Sequence, residues 1–159
     1  MTDWTDVKKV PAAELASLVG HSFVSRWMTV DQERIDAFAK VTEDEQFIHV
    51  DPERASATVF GGTVAHGFLT LSLLSAMAYS VLPRIEGAAH GVNYGFDRVR
   101  FVRPVPSGSR VRGHFTLRAL TPRSAREWQL SYDVSVEIEG AHKPALAATW
   151  VTMQVIAPT

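Results

Sequence analysis

A chain of 159 residues with 46% hydrophobic composition has enough apolar material for one buried core and too little length for two ordinary domains. One domain over 1–159, with its core at about 20–155, is therefore expected. A net charge of −1 with 21% charged residues exerts no global pull toward nucleic acid or anionic lipid, so neither is expected as a partner, and the absence of cysteine excludes disulfides, thiolate nucleophiles and cysteine-ligated metals.

The first twenty residues mix Asp3, Asp6, Lys8, Lys9 and Glu14 with apolar positions and lack the order of a signal peptide, which makes a cytoplasmic location the expectation. Ser25 to Val30 alternates polar and apolar side chains and reads as a short strand. Asp31 then caps a helix whose apolar positions Ile35, Phe38 and Ala39 follow helical spacing and which ends near Thr42. From Glu43 to Val50 neither period holds, while Asp51-Pro52 is an N-cap and first-turn pair for a short helix through Arg54 and Ala55. The segment 43–50 is thus expected to be a loop between helices.

Phe68 to Leu82 is apolar almost all round and stops at Pro83, which predicts a buried central helix. Its length, interrupted by Thr70, Ser72, Ser75 and Ser80, falls short of the roughly 20 apolar residues a bilayer span requires, so no membrane partner is expected. Beyond Gly91 the texture turns to β, approximately 92–102, 109–120, 127–138 and 146–155. The connections Pro106-Ser107-Gly108, Thr121-Pro122-Arg123-Ser124 and Glu139-Gly140-Ala141 are short, which implies that neighbouring strands pair antiparallel as a meander. The expected fold class is α+β, an antiparallel sheet wrapped around a helix that for this reason needs no polar face.

Arg98, Arg100, Arg103, Arg110, Arg112, Arg118, Arg123 and Arg126 fall in a stretch without an acidic residue. Most should cover solvated strand faces, with two or three meeting phosphates, where the planar guanidinium outperforms lysine.

Asp44 and His49 are five residues apart, which separates them by about 140° on a helix and puts them on opposite faces of a strand, so only an irregular loop can converge them. A carboxylate and an imidazole sharing one water form a competent acid/base pair. The structural alternative, in which Asp44 caps a turn and His49 fills a pocket, stays open at this spacing. His66-Gly67 immediately precedes the apolar helix, where glycine exposes unpaired N–H groups that stabilise a developing oxyanion. Gly61 and Gly62 add backbone freedom upstream or are simply turn residues. His66 is expected to be a structural hydrogen-bonding group. A metal centre built from His49, Asp51 and His66 has no recognised ligand spacing behind it, and no metal is expected.

Val41-Thr42-Glu43-Asp44, Gln46-Phe47-Ile48-His49-Val50-Asp51-Pro52 and Phe60-Gly61-Gly62-Thr63-Val64-Ala65-His66-Gly67, followed by Gly91-Val92-Asn93-Tyr94-Gly95-Phe96 and Pro104-Val105-Pro106-Ser107-Gly108, carry a family resemblance. Over roughly residues 20–155 the chain resembles the MaoC-like dehydratases, and among them the NodN-like branch of single-domain (R)-specific enoyl-CoA hydratases. The resemblance implies a hot-dog fold, usually in a homodimer with joined sheets. It further implies reversible syn hydration of a trans-2-enoyl thioester to the (R)-3-hydroxyacyl thioester, with no metal or redox cofactor and coenzyme A only as part of the substrate. The family's catalytic aspartate and histidine fall on Asp44 and His49, and its thioester-polarising amide on Gly67.

Two departures stand out. Glu43 occupies a place where the family commonly has glycine, altering the loop's backbone freedom and adding a like charge beside Asp44. Phe47 replaces the tryptophan or proline usual there, a change in packing. A thioesterase and a noncatalytic acyl-thioester-binding protein are the alternatives on the same fold. Gly62, His66, Gly67 and Ser75 are expected to contact substrate, and acyl length should depend on how Leu71, Leu74, Ser75 and Ala78 line a tunnel. Coenzyme A and acyl carrier protein present the same pantetheine arm and are equally open as carriers.

Overall fold

The computed structural model describes residues 7–157, so Asp3 and Asp6 of the N-terminal reading lie outside the described residues. In chain order the elements are β1 (Lys9–Val10), α1 (Ala12–Ser17), β2 (Ser22–Val24), β3 (Met28–Val30), α2 (Gln32–Thr42), α3 (Phe47–Val50), α4 (Pro52–Ser56), α5 (Gly67–Ser72), α6 (Leu74–Tyr79), β4 (Arg84–Ile85), β5 (Ala88–Phe101), β6 (Ser109–Pro122), β7 (Glu127–Ile138) and β8 (Leu146–Ile156).

The long strands form where apolar residues alternate. Val111, Phe115 and Leu117 of β6, Leu130, Tyr132, Val134 and Val136 of β7, and Leu146, Ala148 and Trp150 of β8 are all buried. Antiparallel register aligns them, with Phe115 opposite Val134, Tyr132 opposite Trp150 and Val136 opposite Leu146. Their inner faces close over Leu74 and Met77 of α6 in one apolar cluster, the α+β hot-dog arrangement expected. Gly113 leaves no room for a side chain there: an added Cβ would lie 2.6 Å from the Phe115 ring of the same strand and 3.2 Å from Met77 Sδ of α6. Outside the sheet, acidic residues of β7 and the turn after it meet the arginines of β6: Arg112 reaches Glu137 at 2.6 Å and Arg110 reaches Glu139 at 2.9 Å. Hydrogen bonds from Arg112 and His114 hold the Glu137 carboxyl below its usual range.

Four expectations need correction. The meander holds for β6, β7 and β8, but β5 pairs with β8 and not with β6, giving the order β2-β6-β7-β8-β5. Pro104 and Pro106 have no N–H for a hairpin ladder, and the connection instead straps the entrance of the central helix. There Ala65 N–H donates to Val105 at 2.8 Å and Ser107 N–H donates to Thr63 at 2.9 Å.

The strand expected at 25–30 forms only over 28–30 as β3, with β2 at 22–24 just before it, both on β6. Val24 opposes His114 and Met28 opposes Val111, so the chain makes one more step here than its partner and bulges between them.

The expected central helix is divided at Leu73 into α5 and α6. The Ser72 hydroxyl donates back to the Phe68 carbonyl at 2.7 Å, a bond that bends helices. The first piece, α5, is not buried all round, since Phe68 is 66% exposed. Lastly, the expected loop 43–50 includes one helical turn, α3. Asp31 and Asp51 cap α2 and α4 as expected, accepting from Arg34 N–H and Arg54 N–H at 3.0 Å each. Among the described residues no helix is long and apolar enough to cross a membrane.

Candidate active site

α2 ends at Thr42, and Glu43 follows in the left-handed region at φ 61°. This sharp reversal turns the chain so that Asp44 leads into α3 instead of continuing the helix axis. It also accounts for the glycine usual at position 43: the conformation is one glycine adopts without strain, and Glu43 adopts it too.

α3 carries His49 on its buried side, 8% exposed, and the ring Nδ1 lies 2.6 Å from the Val64 carbonyl. A carbonyl only accepts, so Nδ1 carries the proton and donates, and the neutral ring keeps its lone pair on Nε2. Burial lowers the His49 pKa below its ordinary 6.5, and neighbouring His66 acts in the same direction, against the opposing Val64 bond and Asp44 charge. His49 is thereby held neutral, in one tautomer, at physiological pH.

His66 precedes α5 and is 2% exposed. Its Nε2 donates to the main-chain carbonyl of Asp44 at 2.9 Å, which ties the irregular segment before α3 to the entrance of α5. Its ring stacks on that of His49 with centroids 3.8 Å apart and planes at 27°, and Phe38 closes the other side at 5.0 Å. His66 Nδ1 is buried without a hydrogen-bond partner among the described residues.

A donor atom from each of Asp44, His49 and His66 lies within 4.8 Å of the others, so the loop converges what the sequence spacing kept apart. The set His49, Asp51 and His66 is not assembled as a metal centre, because Asp51 is occupied as the cap of α4. In the assembled trio each imidazole donates from one nitrogen and keeps a lone pair on the other, His49 Nε2 and His66 Nδ1, beside the Asp44 carboxylate.

A cleft of about 310 Å³ opens beside His49, with Gly67, Thr70, Phe101 and Val102 in its walls. The Gly67 N–H has no protein acceptor among the described residues. Phe101 lies over this glycine, where an added Cβ would sit 2.9 Å from the ring. Close approach of an aromatic side chain to a bare backbone amide thus explains the glycine at this position.

Of the residues the sequence singled out, Asp44, His49 and His66 come together and Gly67 shares the cleft with His49. Gly62 lies upstream on the loop, with open space around its Cα. Ser75 does not join them. It lines a separate cavity between α6 and the sheet, along with Ala78, Asn93, Tyr132 and Trp150. Leu71 and Leu74 line neither cavity. Val64, whose carbonyl fixes the His49 ring, escaped the sequence reading because a backbone acceptor has no side-chain signature.

Comparison with known proteins bears on the family and the fold. The model of the MaoC like domain matches residues 14–137. Nodulation protein N of Rhizobium leguminosarum bv. viciae is 54% identical over 143 residues, covering 89% of each chain. The 3-hydroxyacyl-thioester dehydratase Z of Mycobacterium tuberculosis (strain ATCC 25618 / H37Rv) is 42% identical over 144 residues, 90% of this chain and 95% of that one. Among solved structures, the unliganded R-hydratase PhaJ1 from Pseudomonas aeruginosa superposes with a TM-score of 0.73 at 24% identity, covering 95% of this chain and 89% of that one, a likeness of fold. From a matched domain model, relatives similar over nearly their whole length and a shared hot-dog fold, it follows that the chain belongs to the MaoC-like dehydratase family.

Proposed function

We propose that this protein catalyses the reversible hydration of trans-2-enoyl thioesters to (R)-3-hydroxyacyl thioesters. The observation that carries the reading is the convergence of the Asp44 carboxylate with a neutral His49 whose Nε2 is free, beside a cleft that also contains the unpaired Gly67 amide. The dehydratase and hydratase names of the relatives support it.

In this mechanism Asp44 and His49 hold one water. As its oxygen bonds to the β-carbon of the enoyl thioester, the pair takes up a proton and returns it to the α-carbon on the same face, so the pair ends as it began. Negative charge gathers meanwhile on the thioester oxygen, where the Gly67 N–H meets it. A backbone amide fixed before the reaction stabilises that charge without reorganising. The step moves protons only and calls for no metal or redox group, and coenzyme A or acyl carrier protein enters as the carrier of the acyl chain.

The protein acts in this reading as a homodimer. Among the described residues β5 pairs only with β8, which leaves its other edge without a strand. Tyr94 on that strand is 68% exposed, and Phe101 and the nearby Phe68 are also exposed. An open edge flanked by aromatic side chains favours pairing with a second copy.

The test is incubation of the purified protein with crotonyl-CoA and with a longer enoyl-CoA, following the conjugated-thioester absorbance beside a thiol-release assay. Absorbance loss without thiol, abolished in Asp44→Asn and His49→Ala, is the expected result. Thiol release would make the protein a thioesterase, and binding without turnover would make it a noncatalytic acyl-thioester-binding protein.

A further inference from the structure

Gln32, the first residue of α2, takes no part in the chemistry above, yet its side chain joins the two segments that make the site. Its amide nitrogen donates to the His49 main-chain carbonyl at 2.7 Å and to the Asp36 carboxylate at 2.7 Å. Its carbonyl oxygen accepts the Thr63 hydroxyl at 2.5 Å. Both N–H bonds and the oxygen are thus engaged. The reversed amide would set oxygen against a carboxylate and a carbonyl, so the network admits one orientation.

Those contacts are part of a closed circuit. Thr63 is buried and is followed by Val64, whose carbonyl accepts from His49 Nδ1 and whose N–H donates to the Ile48 carbonyl at 3.0 Å. The circuit runs from the Gln32 amide to the His49 backbone, through the His49 imidazole to Val64, back along the chain to Thr63, and through the Thr63 hydroxyl to Gln32. Helix capping does not require Gln32, because Asp31 already caps α2. Apart from the bond to Asp36, the contacts of Gln32 lead out of its own helix, to residues 17 and 31 positions away in the chain.

We propose that Gln32 is a positioning residue for His49: by clamping Thr63 to the His49 backbone it holds the Val64 carbonyl where it fixes the imidazole as the Nδ1–H tautomer with Nε2 free. Val64 is three residues from Gly67, so the same clamp sets the spacing between the base and the amide facing the thioester oxygen. Displacement of a reacting group by about 1 Å is enough to cost a hundredfold in rate. The effect on turnover rests on the hydratase reading, whereas the effect on His49 is a property of the free protein.

The experiment reads both. Imidazole nitrogen shifts are recorded by long-range proton–nitrogen NMR on the unliganded protein, above the pH at which His49 titrates, for the parent, Gln32→Ala, Gln32→Glu, Thr63→Val and Thr63→Ser. The parent and Thr63→Ser, which keeps the hydroxyl, should show His49 in the single Nδ1–H tautomer, and the other three a mixture of tautomers. Turnover of crotonyl-CoA should fall about ten- to a hundredfold in kcat for those three, with KM within about twofold, and recover in Thr63→Ser.

A single unchanged tautomer in folded Gln32→Ala and Thr63→Val would overturn the proposal. Should Gln32→Ala not fold, Thr63→Val breaks the same circuit from its other end and decides the matter. If the parent does not hydrate enoyl thioesters, the hydratase reading fails, and the tautomer measurement still decides whether Gln32 positions His49.

Discussion

The β6–β7–β8 half of the molecule and the segment from α2 to α5 are held together by different means. In the sheet, backbone ladders run uninterrupted along β7 and β8, and the side chains they align are buried apolar groups such as Leu130, Val136 and Leu146. Between α2 and α5 the helices are short and add Ile35, Ala65 and Leu69 to the same apolar cluster, while hydrogen bonds from side chains to distant backbone orient the site: Gln32 to His49, His49 to Val64, and His66 to Asp44. Apolar burial is large and indifferent to direction, which suits a scaffold, whereas hydrogen bonds are directional and fix orientation, which suits a site. The difference teaches that apolar burial and the orientation of the site groups rest on different kinds of contact.

The sharpest way to break that comparison is at Asp44, which is exposed. Asp44→Asn should lower turnover by about a hundred- to ten-thousandfold while changing unfolding free energy by no more than about 0.5 kcal/mol. Urea unfolding beside the hydration assay checks both numbers, and a matching loss of stability would sink the separation. Phe115→Ala is the converse. Phe115 is fully buried, so its loss should cost about 3–5 kcal/mol in thermal unfolding, with kcat preserved in the fraction that stays folded.

Gly113→Ala probes the sheet more gently. Its methyl group would press on the Phe115 ring and Met77, and a loss of about 1–3 kcal/mol is expected, again read by thermal unfolding. Glu43→Gly runs the other way. Relief of the left-handed conformation at φ 61° should raise stability by about 0.5–1 kcal/mol, with turnover retained because the loop keeps its path.

Acidification is the most selective probe. The folded His49 pKa lies below the ordinary 6.5, so the unfolded chain binds more protons in the interval between the two values. This contribution to stability is fully present above 6.5 and is lost as pH falls through the folded value. Unfolding followed against pH in the parent and in His49→Ala should differ in slope only in that interval. The acid limb of the hydration rate should likewise lie below 6.5.

Much of the fold is legible in the sequence because strand periodicity is local. Val111 to Leu117 and Leu130 to Val136 declare their buried faces by alternation alone, and the caps Asp31 and Asp51 announce α2 and α4. The family motifs marked Asp44, His49 and Gly67 and implied the hot-dog fold. Strand order was less accessible. The connection from β5 to β6 is short enough for a hairpin, but it carries Pro104 and Pro106 and bonds to Thr63 and Ala65 across the helix entrance. Ser75 sits on an apolar helix as the sequence reading requires, yet which cavity a helix residue lines depends on rotation against the sheet.

What the sequence determined by itself was the set of elements and the chemical types available, since propensity, periodicity and capping act over a few residues. Tertiary structure alone decided that Asp44, His49 and His66 share a few ångströms, that His49 holds its proton on Nδ1, and that Gln32 and Thr63 close the circuit around it. These facts depend on hydrogen bonds between residues 15 to 31 positions apart, and a bond's direction is fixed only once packing has brought both ends together.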